Sequence, residues 1–161
     1  MHARARFLID TLGMRQHPEG GFYAEIYRSQ LAVHRSHPAQ LRTALTAIYS
    51  LFSAGTVSRW HRVSSDELWS HLEGDPLELC TWDPSSGAVA SYRLGSVGDA
   101  SRPLRAVPAG VWQAARPLGD YALVSCAVGP GFEFADFEIG GDNPEAAELL
   151  RSQVGAWADL L

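Results

Sequence analysis

Apolar positions along the chain recur with two different periods. Residues 3–12 set Phe7, Leu8 and Leu12 at helical spacing, and Gly13 stands where a helix stop belongs, so the pattern predicts one short helix. His17-Pro18-Glu19-Gly20-Gly21 is a dense turn signal. From Phe22 to Arg28 the alternation shifts to period two, as in a strand. Residues 30–41 are polar, hold two histidines and a proline, and read as a loop. Beyond Arg42 short β-type runs follow one another at 43–52, 57–63, 67–72, 77–82, 89–94, 104–107, 111–115, 121–128 and 132–139. Turn residues separate them, such as Ser64-Ser65-Asp66, Gly74-Asp75-Pro76 and Asp83-Pro84. The tail returns to helical spacing over about 144–161, with Asn143 as cap, Pro144 in the first turn, and Ala146, Leu149, Leu150, Val154, Trp157 and Leu161 on one face.

Many short strands at regular spacing predict a mainly β fold, a sandwich or barrel with short helices at the N- and C-terminal ends. The length of 161 residues fits a single domain over 1–161, and neither a linker nor an internal repeat interrupts it. The net charge of -5 gives a nucleic-acid partner no electrostatic support. All 13 basic residues are arginines, so a Schiff-base or P-loop lysine is excluded. Cys80 and Cys126 fall in strand-like segments and read as buried free thiols. Without an apolar leader or a membrane-length run, the expectation is a cytoplasmic protein with no membrane partner.

The chemistry-bearing feature is Gly55-x5-His61-x5-Glu67-x6-Gly74, followed by Pro108-Ala-Gly110-Val-Trp112-Gln113. A hairpin turning at Ser64-Ser65-Asp66 brings His61 and Glu67 to one interior, and Gln113 joins from a third strand. His61 and Glu67 are the catalytic candidates, because a histidine beside a carboxylate makes a proton-transfer pair near neutral pH. Trp69 and Trp112 offer rings for stacking on a sugar or nucleobase, Tyr49 a second acid, and Arg59 a fork for an anionic group. The same His61–Glu67 pair also reads as a buried hydrogen-bonded couple with no chemistry. His17 and Glu19 read as parts of the Gly-Gly turn, or as a lid.

The runs His17-Pro-Glu-Gly-Gly-Phe-Tyr23, Thr46-Ala-Ile-Tyr49, Ser58-Arg-Trp-His61-Arg62, Asp66-Glu67-Leu-Trp69, Val107-Pro-Ala-Gly-Val-Trp-Gln113 and Pro130-Gly-Phe-Glu-Phe-Ala-Asp-Phe137 are specific. Over about residues 7–139 the chain resembles the cupin superfamily, in its DUF985 or "cupin 5" group. The resemblance implies a jelly-roll barrel related to the sugar-nucleotide epimerase of the rhamnose pathway and to germins, a homodimer, and a pocket inside the barrel. Archetypal cupins hold a metal with three histidines and a glutamate; the matching positions here are His61, Val63, Glu67 and Gln113. Valine cannot ligate and an amide oxygen suits hard ions, so a divalent metal would rest on His61, Glu67 and Gln113 alone.

The expected function is binding of a small polar ligand, a sugar or nucleotide, with metal-independent isomerisation or epimerisation by His61 as base. A non-catalytic binding or sensing module and a metal-dependent cupin enzyme are the alternatives.

Overall fold

The structure is a computed structural model and describes residues 1–36 and 39–161. A first helix, α1 (Ala3–Thr11), leads into β1 (Arg15–Gln16) and β2 (Phe22–Arg28). β3 (Ala32–Ser36) and β4 (Ala39–Thr43) form a hairpin, followed by β5 (Thr46–Ser53), β6 (Ser58–Val63), β7 (Asp66–Gly74), β8 (Leu77–Trp82) and β9 (Val89–Leu94). Then come β10 (Leu104–Val107), β11 (Trp112–Pro117), β12 (Tyr121–Gly129) and β13 (Phe137–Ile139). The chain ends in α2 (Pro144–Gln153) and a 3₁₀ segment, Gly155–Leu160.

Two antiparallel sheets face each other. One has the order β1-β2-β5-β12-β7-β10, the other β13-β6-β11-β8-β9. They form a jelly-roll sandwich whose sheets do not close by hydrogen bonds. Period-two alternation assigns each side chain to a layer. Phe52, Trp69, Leu77, Leu79, Ala115 and Val124 fill the interior at one end. The opposite faces are covered by the two terminal helices. On the first sheet Leu51, Tyr121 and Leu123 pack against Ala5 and Leu8 of α1. On the second sheet Trp60, Cys80, Trp82, Trp112 and Ala114 pack against Leu150 of α2, with Val154 and Leu160. Asn143 caps α2 by accepting from the N–H groups of Glu145 and Ala146, as its place before Pro144 predicts.

Three sequence expectations are corrected. Residues 30–41 are no loop: the described part forms the β3–β4 hairpin, and the histidine and proline at 37–38 lie outside the described residues. Its hold on the body is polar. Arg35 donates to Asp136 at 2.8 Å, and Arg42 donates to the same carboxylate at 2.7 and 3.0 Å. The strand expected over 132–139 shrinks to Phe137–Ile139, because a 3₁₀ turn at Phe134–Asp136 precedes it. The terminal helix stops at Gln153, where Gly155 takes φ +57° and starts the 3₁₀ segment. No helix among the described residues is long and apolar enough to cross a membrane.

Candidate functional site

One mouth of the sandwich holds a cavity of about 230 Å³. Its floor is polar: Glu19, His61 and Glu67, with Cys126 beside them. Its walls are aromatic: Tyr23, Phe132, Phe134 and Phe137.

Strand geometry delivers His61, Glu67 and Gln113. His61 on β6 pairs in register with Gln113 on β11, within the second sheet. Glu67 on β7 belongs to the first sheet, where it pairs with Val128. Gln113 spans the gap: its Nε2 donates to Glu67 Oε2 at 2.5 Å, and its Oε1 accepts from Trp69 Nε1 at 2.9 Å. An indole N–H can only donate, so Trp69 fixes which end of the amide faces Glu67. His61 Nδ1 lies 2.8 Å from the carbonyl oxygen of Arg59, which sets that nitrogen as the protonated one. Nε2 is left facing the cavity, 3.4 Å from Glu19 Oε2.

Glu19 is the residue that the sequence reading left in the turn. It is buried, at 8% exposure, and enters the cavity from the segment between β1 and β2. Ser58 donates to its Oε1 at 2.9 Å, and His17 Nδ1 lies 3.5 Å from its Oε2. The doubled glycine makes this insertion feasible. Gly20 has φ +122°, and a Cβ there would stand 2.0 Å from the Val57 carbonyl oxygen. Gly21 has φ +68°, and its Cβ would meet Leu51 O and the Phe52 ring at 2.7 Å. Only glycine lets the turn lie this tightly on β5 and the start of β6. The available sequence signal was a carboxylate held between a His-Pro pair and two consecutive glycines.

Burial governs the titration of the floor. It pushes His61 below its ordinary value, against the opposing pull of Glu67, and lowers His17 likewise. It pushes Glu67 above the usual carboxyl range, with His61 opposing and the Glu19 charge adding. Glu19 is raised by burial, with His17 and Ser58 opposing. The Cys126 thiol is pushed well up, chiefly by burial. Neutral imidazole and neutral carboxyl are therefore both favoured here.

The aromatic wall is anchored from several sides. The Phe132 N–H donates to Thr46 Oγ1 at 2.9 Å, Gly131 N–H to Thr43 O at 2.8 Å, and Asp136 takes the two hairpin arginines.

Of the residues proposed from sequence, His61 and Glu67 line the cavity, while Gln113 and Trp69 stand directly behind them. Three are placed elsewhere. Trp112 faces outward beneath α2, with Arg62 over its ring at 4.8 Å. It neighbours Gln113 in sequence, and neighbours on a strand point to opposite faces. Tyr49 faces α1 for the same reason, while Ile48 turns inward. Arg59 points away from the cavity, donating to Pro18 O at 2.8 Å and lying 3.5 Å from Asp142.

A two-sheet β jelly roll with a polar-floored, aromatic-walled cavity in one mouth places the chain among the small β-barrel folds. The chain belongs to the cupin superfamily, in its DUF985 family, whose model matches residues 6–140. It is similar to a hypothetical protein from Leishmania major at 31% identity, covering 93% of this chain and 98% of that one, with TM-score 0.78. It is similar to a protein from Shewanella oneidensis at 33% identity, covering 99% and 95%, with TM-score 0.81. A dTDP sugar isomerase from Desulfovibrio desulfuricans shares the fold at 17% identity and TM-score 0.56, covering 79% and 85%. No curated protein matches the chain.

The archetypal cupin metal set does not fit these side chains. Val63 has no donor, and the amide oxygen of Gln113 is committed to Trp69. Among the described residues, no group of three or more His, Cys, Asp or Glu is arranged to hold a metal ion.

Proposed function

We propose that the cavity binds a small polar ligand of about monosaccharide size and that His61 moves a proton on it, an isomerase or epimerase reaction. One observation carries this reading. His61 is locked through Nδ1 to the Arg59 carbonyl, so its Nε2 faces a walled cavity bordered by two buried carboxyls. The cavity, about 230 Å³, is below the about 300–1,000 Å³ that encloses drug-sized ligands, so a nucleotide would extend beyond the mouth.

The chemistry balances with side chains alone. His61 Nε2 takes a proton from a carbon next to a carbonyl, and the C–H electrons form the enediol double bond. The neutral carboxyl of Glu67 gives its proton to the carbonyl oxygen, and Glu19 stabilises the imidazolium. The reverse transfers on the adjacent carbon, or on the other face of the same carbon, give the isomer or epimer and restore both groups. The reading is tested by identifying the small molecule that co-purifies and incubating it with the protein in D2O. Deuterium entering at a carbon, and its loss in His61→Ala, is the expected result. Tight binding without exchange would leave a binding module instead.

Homodimer formation is part of the proposal. Ile26 and Tyr27 at the end of β2 are about half exposed, and across the first sheet Tyr27, Ala47, Ala127, Leu68 and Ala106 pair in one apolar row. Twofold dimers are the commonest closed assemblies. Light scattering is expected to give twice the chain mass, and Tyr27→Glu to shift it toward monomer; a wild-type monomer refutes the dimer. A cytoplasmic site of action is proposed as well, supported by the free state of Cys80 and Cys126.

A further inference from the structure

We infer that the ligand of this cavity carries a positively charged nitrogen, seated between the Phe137 ring and the Glu19 carboxyl. The inference rests on the reading of the cavity as a ligand site and adds the charge of what enters it.

Phe137 and Glu19 border the same space. The Phe137 ring lies 5.8 Å from His17 and 5.5 Å from His61, and both imidazoles meet Glu19. Further rings enclose that space. Phe132 and Phe134 stand 5.7 and 6.2 Å from Phe137, the latter at 87°, and Tyr23 meets His17 edge-on at 4.6 Å. Rings set at steep angles around one volume present both faces and edges to it, and an aromatic face attracts an ammonium within about 6 Å.

The charges agree. The lining holds four glutamates, Glu19, Glu25, Glu67 and Glu133, against two arginines, Arg15 and Arg28. Arg28 is spent at the mouth, donating to Glu25 at 2.8 Å and Glu133 at 2.9 Å. Arg15 stands over the Tyr23 ring at 5.0 Å, and Arg59 turns to Pro18 O and Asp142. Glu19 and Glu67 thus meet a serine hydroxyl, an amide, a thiol and two imidazoles, with no guanidinium among their hydrogen-bond partners. With no guanidinium hydrogen-bonded to either carboxyl, and Arg59 acting on Glu19 by charge alone, the floor gives a phosphate or carboxylate no donor fork, whereas an arriving ammonium stabilises the ionised form of Glu19. Burial raises both carboxyls, and an arriving ammonium offsets that cost.

Three probes of one ring size and different charge test this: glucosamine, glucose and glucuronate, titrated calorimetrically into the wild-type protein at neutral pH. Glucosamine is expected to bind at least about tenfold more tightly than glucose, and glucuronate most weakly. Glu19→Gln is expected to remove most of that preference and Phe137→Leu part of it, with circular dichroism confirming that both variants fold. If glucose or glucuronate matches glucosamine on the wild type, the charge inference falls and the ligand site stands. If none of the three binds at millimolar concentration, the sugar-sized ligand and the inference fall together.

Discussion

Replacing Gly20 by alanine should do more than any ordinary turn substitution, because the added Cβ points straight into backbone. The new Cβ would stand 2.0 Å from the carbonyl oxygen of Val57, at φ +122°. Backbone strain of this kind costs about 1–3 kcal/mol and overpacking about 1–3 kcal/mol, together roughly 2–6 kcal/mol. Gly55 supplies the control. It also has a positive φ, +81°, but open space around its missing Cβ, so alanine there costs about 1–2 kcal/mol. In a chain of this size 1 kcal/mol moves the thermal midpoint by about 2–4 °C, so the expected losses are about 4–24 °C for Gly20→Ala and about 2–8 °C for Gly55→Ala, the first the larger. Thermal unfolding followed by circular dichroism measures both. The turn can also escape the clash by lifting away from β6, which draws Glu19 out of the cavity. The NMR titration of His61 then shifts in Gly20→Ala and stays unchanged in Gly55→Ala. Equal midpoint losses in the two variants, with an unaltered His61 titration, would refute the claim that this glycine seats Glu19.

Glu67→Gln tests the buried acid through pH. A carboxyl raised by burial contributes stability below its unfolded value, about 4.3, and loses it as pH rises through the folded value. The variant, measured by denaturant unfolding, is therefore expected to gain on the wild type as pH rises from acid toward neutral; a pH-independent difference would contradict the raised value. His61, lowered by burial, has the opposite sense: its contribution is present above about 6.5 and is lost as pH falls, so His61→Ala should lose ground to the wild type as pH rises from acid toward neutral. Trp69→Phe leaves the amide oxygen of fully buried Gln113 unpaired, costing about 1–3 kcal/mol before any void is counted; a loss below about 0.5 kcal/mol would show that the indole bond does not hold the amide. Val63→His adds an imidazole to the wall that holds His61 and Glu67, and zinc affinity by calorimetry is expected to rise at least about tenfold; unchanged affinity in a folded variant would mean the cavity does not admit the metal geometry.

Legibility followed the range of the interactions involved. β8 and β9 match the sequence pattern to the residue, because turn residues bound both strands locally. The β3–β4 hairpin was illegible: its attachment is a pair of arginines meeting Asp136 almost a hundred positions away, and such a contact leaves no hydrophobic period. His61, Glu67 and Gln113 were legible as a constellation through strand alternation, but the hairpin expected to join His61 and Glu67 is not formed: β6 and β7 lie in opposite sheets, and the turn at Ser64-Ser65 crosses from one to the other. Tyr49 was misplaced because β5 is apolar on both faces, the interior on one and α1 on the other, so its sequence shows no alternation to read. Glu19 was undervalued because a carboxylate in a turn ordinarily faces water. Its burial depends on Val57 and Ser58, nearly forty positions downstream. The phenylalanines of the wall were read as a strand, and only the 3₁₀ turn beside the pocket brings their rings to the mouth.

The chain of bonds from Trp69 through Gln113 to Glu67 runs one way. An indole that can only give, followed by an amide that neither gains nor loses a proton near neutrality, is a dead end for proton traffic. Under the proposed reaction, hydrogen taken up at Glu67 has no relay along that chain into the core, and the cavity offers it the bound guest or the open mouth. How faithfully an isotopic label stays with the guest molecule then becomes a measure of how well that guest corks the opening, a property of fit rather than of acidity.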